Sequence, residues 1–119
     1  MTQQEVAEWL RMSNQTIRAL TRTGELPSTQ IGEVTRYWLP ALRQRLFPTA
    51  GGQMRREDEP EIVDVKELAE LLDLSVQTVR AKAAEGVIPA TRIGREWRFH
   101  WPTIRSRLEA GKPLADPPE

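Results

Sequence analysis

The pattern Gln-Thr-x-Arg stands twice in the chain, as Gln15-Thr16-Ile17-Arg18 and as Gln77-Thr78-Val79-Arg80. A glutamine amide carries donors and an acceptor in one plane, and a guanidinium carries a fork of donors. These groups pair bidentately with an adenine edge and a guanine edge in a major groove. The hydroxyls of Thr16 and Thr78 suit a phosphate oxygen instead. Asn14 and Arg22 flank the first copy and join the candidate set. A second constellation surrounds a glycine in each copy and is wholly cationic only in the second. Arg92, Arg95 and Arg98 surround Gly94, and Gln30, Glu33 and Arg36 surround Gly32 in the same way. Three guanidinium groups about one turn suit a phosphate backbone or a minor groove, whereas the carboxylate of Glu33 would repel either.

Other chemistries lack their parts. With no cysteine there is no disulfide framework and no thiolate metal site, and His100 is the only histidine. Gly51-Gly52 has neither the lysine nor the flanking elements of a phosphate-binding loop. No acid–base pair or nucleophile motif stands out, so the expectation is a protein that is not an enzyme and needs no cofactor or metal.

A polar stripe on a helix is by default merely solvated, so the recurrence needs a cause. Shifting the sequence by 62 positions aligns residues 5–46 with residues 67–108 without a gap, and 19 of the 42 pairs are identical. That density marks a duplication of one supersecondary unit. Charge follows the same division. The chain is neutral overall, yet residues 1–48 carry a net +2 and residues 65–108 a net +3, while residues 49–64 and 109–119 carry −3 and −2. A zero total therefore hides two basic modules separated and trailed by acid.

The elements that must position these groups can be read within one unit. Thr2-x-x-Glu5 and Asp64-x-x-Glu67 are capping boxes, each opening a helix with apolar residues at helical spacing. Ser13 and Ser75 cap a second helix that runs to Gly24 or Gly86, and the two helices meet at a tight turn. The polar pattern thus falls at the start of the second helix. Beyond Pro27 or Pro89 the chain alternates about Gly32 or Gly94, which reads as a two-stranded hairpin. A third helix with Pro40 or Pro102 in its first turn would bury Leu42 and Leu46, or Ile104 and Leu108. Trp9, Tyr37, Trp97 and Phe99 are expected in the small cores rather than as stacking platforms.

The run Leu71-Leu72-Asp73-Leu74-Ser75-Val76-Gln77-Thr78-Val79-Arg80, followed by Glu85-Gly86-Val87-Ile88-Pro89-Ala90-Thr91-Arg92-Ile93-Gly94-Arg95-Glu96-Trp97-Arg98-Phe99, resembles the DNA-binding unit of the excisionase and MerR-like winged helix family. The first copy is similar to it as well, and the two together span about two-thirds of the chain. The resemblance implies sequence-directed binding of double-stranded DNA, in transcriptional control or as a directionality factor in site-specific recombination, and it places His100 as the cap of the third helix.

The expected fold class is mainly α with small β-hairpin wings, arranged as two tandem winged helix-turn-helix units. The expected division is a first unit over residues 1–48, a flexible acidic linker over 49–63, a second unit over 64–110 and a disordered tail over 111–119. The sixteen residues from Phe47 to Ile62 inclusive would reach about 50 Å at most, against roughly 34 Å for one turn of DNA. Neither an export signal nor a membrane span is legible, so a cytoplasmic protein without a membrane partner is expected. Assembly into a homo-oligomer or cooperatively on DNA stays open. Because Glu33 stands where Arg95 does, the second unit is expected to supply most of the affinity, with the first adding selectivity or turned towards protein. A protein-interaction adaptor that keeps the fold and has lost DNA is the rival reading.

Overall fold

The computed structural model describes residues 1–48 and 55–115. It divides into two compact units, Met1–Thr49 and Ala50–Glu119. Its class is mainly helical with small antiparallel sheets, in an arrangement compatible with a winged helix-turn-helix.

In the first unit, α1 (Gln3–Leu10) starts on a complete capping box. The Glu5 N–H donates to Thr2 Oγ1 at 3.2 Å and the Thr2 N–H donates to Glu5 Oε1 at 3.0 Å. Those Thr2 bonds hold the Glu5 carboxyl below its ordinary range. Helix α2 (Asn14–Thr23) starts on Ser13, whose Oγ accepts the Thr16 N–H, and ends at Gly24 with φ 86°, a conformation other residues adopt only at a cost. Strands β1 (Thr29–Ile31) and β2 (Val34–Arg36) pair antiparallel with Ile31 opposite Val34, and α3 (Leu39–Leu46) follows with Pro40 in its first turn. Val6, Leu10, Ile17, Leu26 and Leu42 are buried. Trp9 is half-buried and meets Phe47 edge-on, with ring centroids 6.1 Å apart.

The second unit repeats this order behind one extra strand. Strand β3 (Ile62–Val63) precedes α4 (Val65–Leu72), α5 (Val76–Glu85), β4 (Thr91–Ile93), β5 (Glu96–His100) and α6 (Trp101–Ala110). The sheet order is β3-β5-β4, antiparallel throughout, with Ile62 opposite His100 and Val63 opposite Phe99. In the first unit Met1 stands at the position matching Val63, with its N and O both bonded to the Tyr37 backbone. Asp64 and Glu67 form the second capping box and Ser75 caps α5. The core gathers Val63, Leu68, Val79, Phe99 and Ile104, with Trp97 and Leu114 packed at its margin.

Several expectations are corrected here. Residues 55–63 do not behave as linker, because they pack on the second unit: Ile62–Val63 is a strand, the Trp101 N–H donates to the Glu61 carbonyl at 2.9 Å, and Glu61 Oε2 lies 3.2 Å from His100 Nε2. Only residues 49–54 of the expected linker lie outside the described residues, as do 116–119 of the expected tail, whose Leu114 touches the core. Leu108 is exposed rather than buried. His100, by contrast, stands at the N-cap position of α6 as expected; its ring is buried, with Nδ1 2.8 Å from Thr103 Oγ1 and no side-chain bond to a backbone N–H.

The acid-rich stretch carries a testable pH dependence. Burial pushes the Glu59 carboxyl up, but bonds from the Arg56 N–H, the Trp101 indole and the Arg105 guanidinium outweigh it and hold the carboxyl below its ordinary range. A depressed folded value gives stability that is fully present above the ordinary glutamate value and is lost as pH falls through the folded one. Unfolding measured from about pH 7 to about pH 3 should therefore show an acid-side loss that is shallower in Glu59→Gln. Parallel curves for the two proteins would contradict this.

Candidate nucleic-acid interface

The turns between helices fix where the polar pattern points. Arg11 and Asp73 take the left-handed conformation, with φ 58° and 55°, and close α1 and α4, so that each second helix starts within three residues. Ser13 and Ser75 then accept the Thr16 and Thr78 N–H groups at 3.1 Å, and the paired hydroxyls lie 2.9 and 2.8 Å apart. Both threonine hydroxyls are thereby tied to their caps, and a phosphate would have to share them.

On α2 the residues Gln15, Arg18 and Arg22 fall at i, i+3 and i+7, all exposed, opposite the buried Ile17 and Leu20. On α5 Gln77 and Arg80 are exposed in the same register, with Ala84 where the first unit has Arg22. Asn14 is exposed and receives the Gln3 amide, 3.3 Å to its carbonyl and 3.5 Å to Oδ1.

Each unit has a surface hollow at the same place in the repeat, between the start of its first helix and the second strand of its hairpin. In the second unit it measures about 410 Å³ and is lined by Lys66, Arg80, Arg95 and Arg98 against Asp64 and Glu96. In the first unit it measures about 510 Å³, and Arg36 is its one cation among Thr2, Gln3, Gln4, Asn14 and Thr35. Geometry is shared, but charge is not. The first unit carries its cations along the helix, and the second carries them on the hairpin.

The hairpin arginines differ from one another. Arg95 is exposed at the turn, and Arg92 is exposed with its guanidinium 5.3 Å from the Trp97 ring centroid, a cation–π contact with its cross-strand neighbour. Arg98 departs from the expectation of a solvent-facing backbone contact. It is 5% exposed, Nη2 lies 2.7 Å from Glu96 Oε2, and Nη1 donates to the Trp97 carbonyl at 2.8 Å. Glu96, two residues earlier, points to the same face of β5 and supplies the counter-charge. Its counterpart Arg36 keeps the equivalent carbonyl bond, to Thr35 at 2.9 Å, yet is exposed, and Val34 stands in place of Glu96. Lys66 also lines the hollow of the second unit and is not among the candidates read from the sequence. Its signal was its place, two residues after the Asp64 cap, on the first turn of a helix that borders the hairpin.

Among the described residues no group of histidine and acidic side chains is arranged to hold a metal ion, and no helix is long and apolar enough to cross a membrane. Residues 62–101 match the model of a protein family described as a helix-turn-helix domain, a span running from β3 through β5 to the first residue of α6. No curated protein and no solved structure matches the chain.

Proposed function

We propose that this protein binds double-stranded DNA in a sequence-directed way, with α5 and α2 as the elements that enter major grooves and the two hairpins as wings against the backbone. The observation that carries this reading is the hollow beside α5, where four cations face two carboxylates in the segment similar to a helix-turn-helix domain. Gln77 and Arg80 read base edges, Arg92, Arg95 and Lys66 meet phosphates, and Thr78 shares its hydroxyl with the backbone. Gln15, Arg18 and Arg22, with Asn14, Thr16 and Arg36 beside them, form the second reader. Arg98 serves as a brace for the wing. The role is that of a transcriptional regulator or an excisionase-like recombination directionality factor, acting in the cytoplasm through two tandem units.

Salt titration tests the reading. Affinity for a duplex should fall linearly on a log–log plot with a slope near −0.9 per phosphate contact. Affinity that ignores salt would contradict it.

The charge difference between the wings gives a sharper expectation. Arg95→Glu should cut affinity severalfold and shrink the salt slope by about one contact. Glu33→Arg should raise both if the first wing lies against the backbone. Ile31 and Val34, opposite one another and 59% and 45% exposed, favour a second reading for that wing, as a protein-contacting surface. Under it Glu33→Arg leaves the slope unchanged.

A further inference from the structure

Strand β5 is the middle strand of its sheet, and its two halves have different neighbours. Glu96, Trp97 and Arg98 pair with β4 to form the wing, and the last two residues, Phe99 and His100, pair with β3 on the other edge. A two-stranded ribbon is marginal in water, and a third strand or a packed face is what makes it stable. Here the third strand is fastened by a buried cluster. Glu61, directly before β3, is 8% exposed, and His100 is 6% exposed. Glu61 Oε2 lies 3.2 Å from His100 Nε2, and His100 Nδ1 lies 2.8 Å from Thr103 Oγ1. The Glu61 carbonyl accepts the Trp101 N–H at 2.9 Å, so one residue is tied both to the end of β5 and to the start of α6. Along β5 the side chains of Glu96, Arg98 and His100 alternate onto one face, and the first two of these line the hollow beside α5. The first unit offers a contrast at the same place in the repeat. Met1 stands there in the position of Val63, and Trp38, in the position of His100, is 72% exposed.

We propose that Glu61 is a positioning residue for the wing of the second unit: through His100 and β3 it fixes the strand that Arg95 leads into and that carries Arg98. That the wing meets a duplex rests on the reading given above. A buried hydrogen-bonding group left without its partner is costly, so deleting the Glu61 side chain releases this end of β5. Helices α4 and α5 pack on one another through Leu68 and Val79 and keep that contact. Charge and position act in opposite directions. Removing a carboxylate by itself favours a polyanionic partner, whereas loosening the wing weakens its hold on phosphates.

Hydrogen exchange on the full chain tests the hold without DNA. In Glu61→Ala, amides within residues 91–98 should exchange faster by about tenfold or more, while those within α5 keep their protection. Glu61→Gln, whose amide can still bond His100 Nε2, should stay close to the unaltered chain. Unchanged protection of the wing in Glu61→Ala overturns the proposal, as does equal loss in the wing and in α5, or a glutamine no better than alanine. A second arm measures duplex affinity. Glu61→Ala should lower it severalfold and reduce the salt slope by about one contact, and Arg95→Glu should cost less in that background than in the unaltered chain. An affinity that rises, or an Arg95→Glu penalty that is the same in both backgrounds, overturns the proposal. If neither protein binds any duplex, the DNA reading falls, and exchange alone decides whether Glu61 positions the wing.

Discussion

Alanine at Arg80 should lower affinity for the preferred duplex by about ten- to a hundredfold, and it should relax selectivity at one base pair rather than across the site. Arg80 stands exposed one turn into α5, in register with Gln77, and lines the same hollow as Arg95 and Lys66. A bidentate arginine–guanine pair is worth about 1–3 kcal/mol of discrimination. A phosphate contact would behave differently: its loss weakens every sequence alike and removes about one unit of salt slope. Affinities of Arg80→Ala for the preferred duplex and for its single-base variants, each at two salt concentrations, separate the two roles. Uniform weakening across all variants would move Arg80 from reading bases to holding the backbone. The same substitution at Arg18 should cost less, because Arg22 continues the stripe on α2 and Ala84 does not on α5.

Alanine at Phe99 should cost the second unit about 3–5 kcal/mol, the range for deleting a large buried aromatic. Phe99 is 0% exposed, opposite Val63 on β5 and within the cluster of Leu68, Val79 and Ile104. It is the residue through which the wing strand, the extra strand and both helices of the turn share one core. Units this small bury little surface and have only a few kcal/mol to lose. Duplex binding should therefore disappear together with cooperative unfolding of this unit, followed by hydrogen exchange in α4 and α5. Leu108→Ala is the contrast, since that side chain is 45% exposed and its removal should leave unfolding nearly unchanged. A stable, binding-competent Phe99→Ala protein would show that the core is organised elsewhere.

Much of this was legible in the residues because caps and glycines are local signals. Thr2 with Glu5, Asp64 with Glu67, and Ser13 and Ser75 place the helix starts as expected, and Gly24 and Gly86 end them with φ 86° and 82°. The hairpins follow from alternation about Gly32 and Gly94. Strand β3 was not legible, since two residues carry no period, and only its partner β5 makes Ile62–Val63 a strand. The packing of residues 55–61 was hidden for another reason. A run of acids reads as solvated, but Glu59 and Glu61 meet Arg105, Trp101 and His100, which stand about forty residues later. At the candidate interface, proximity to Gly94 made Arg92, Arg95 and Arg98 look alike. Strand parity divides them, because Arg98 shares a face with Glu96 and is neutralised there, while Arg92 shares the other face with Trp97. Trp38 shows the converse case, a large apolar residue that is 72% exposed.

The most direct test of sequence-directed duplex binding is selection from a random double-stranded library with the full chain at low salt. The account predicts enrichment of a motif with two sub-sites, with positions contacted by α5 recovered more sharply than those near either wing, and with enrichment fading as salt rises. Retention of no sequence above the starting pool, even in dilute buffer, would contradict it.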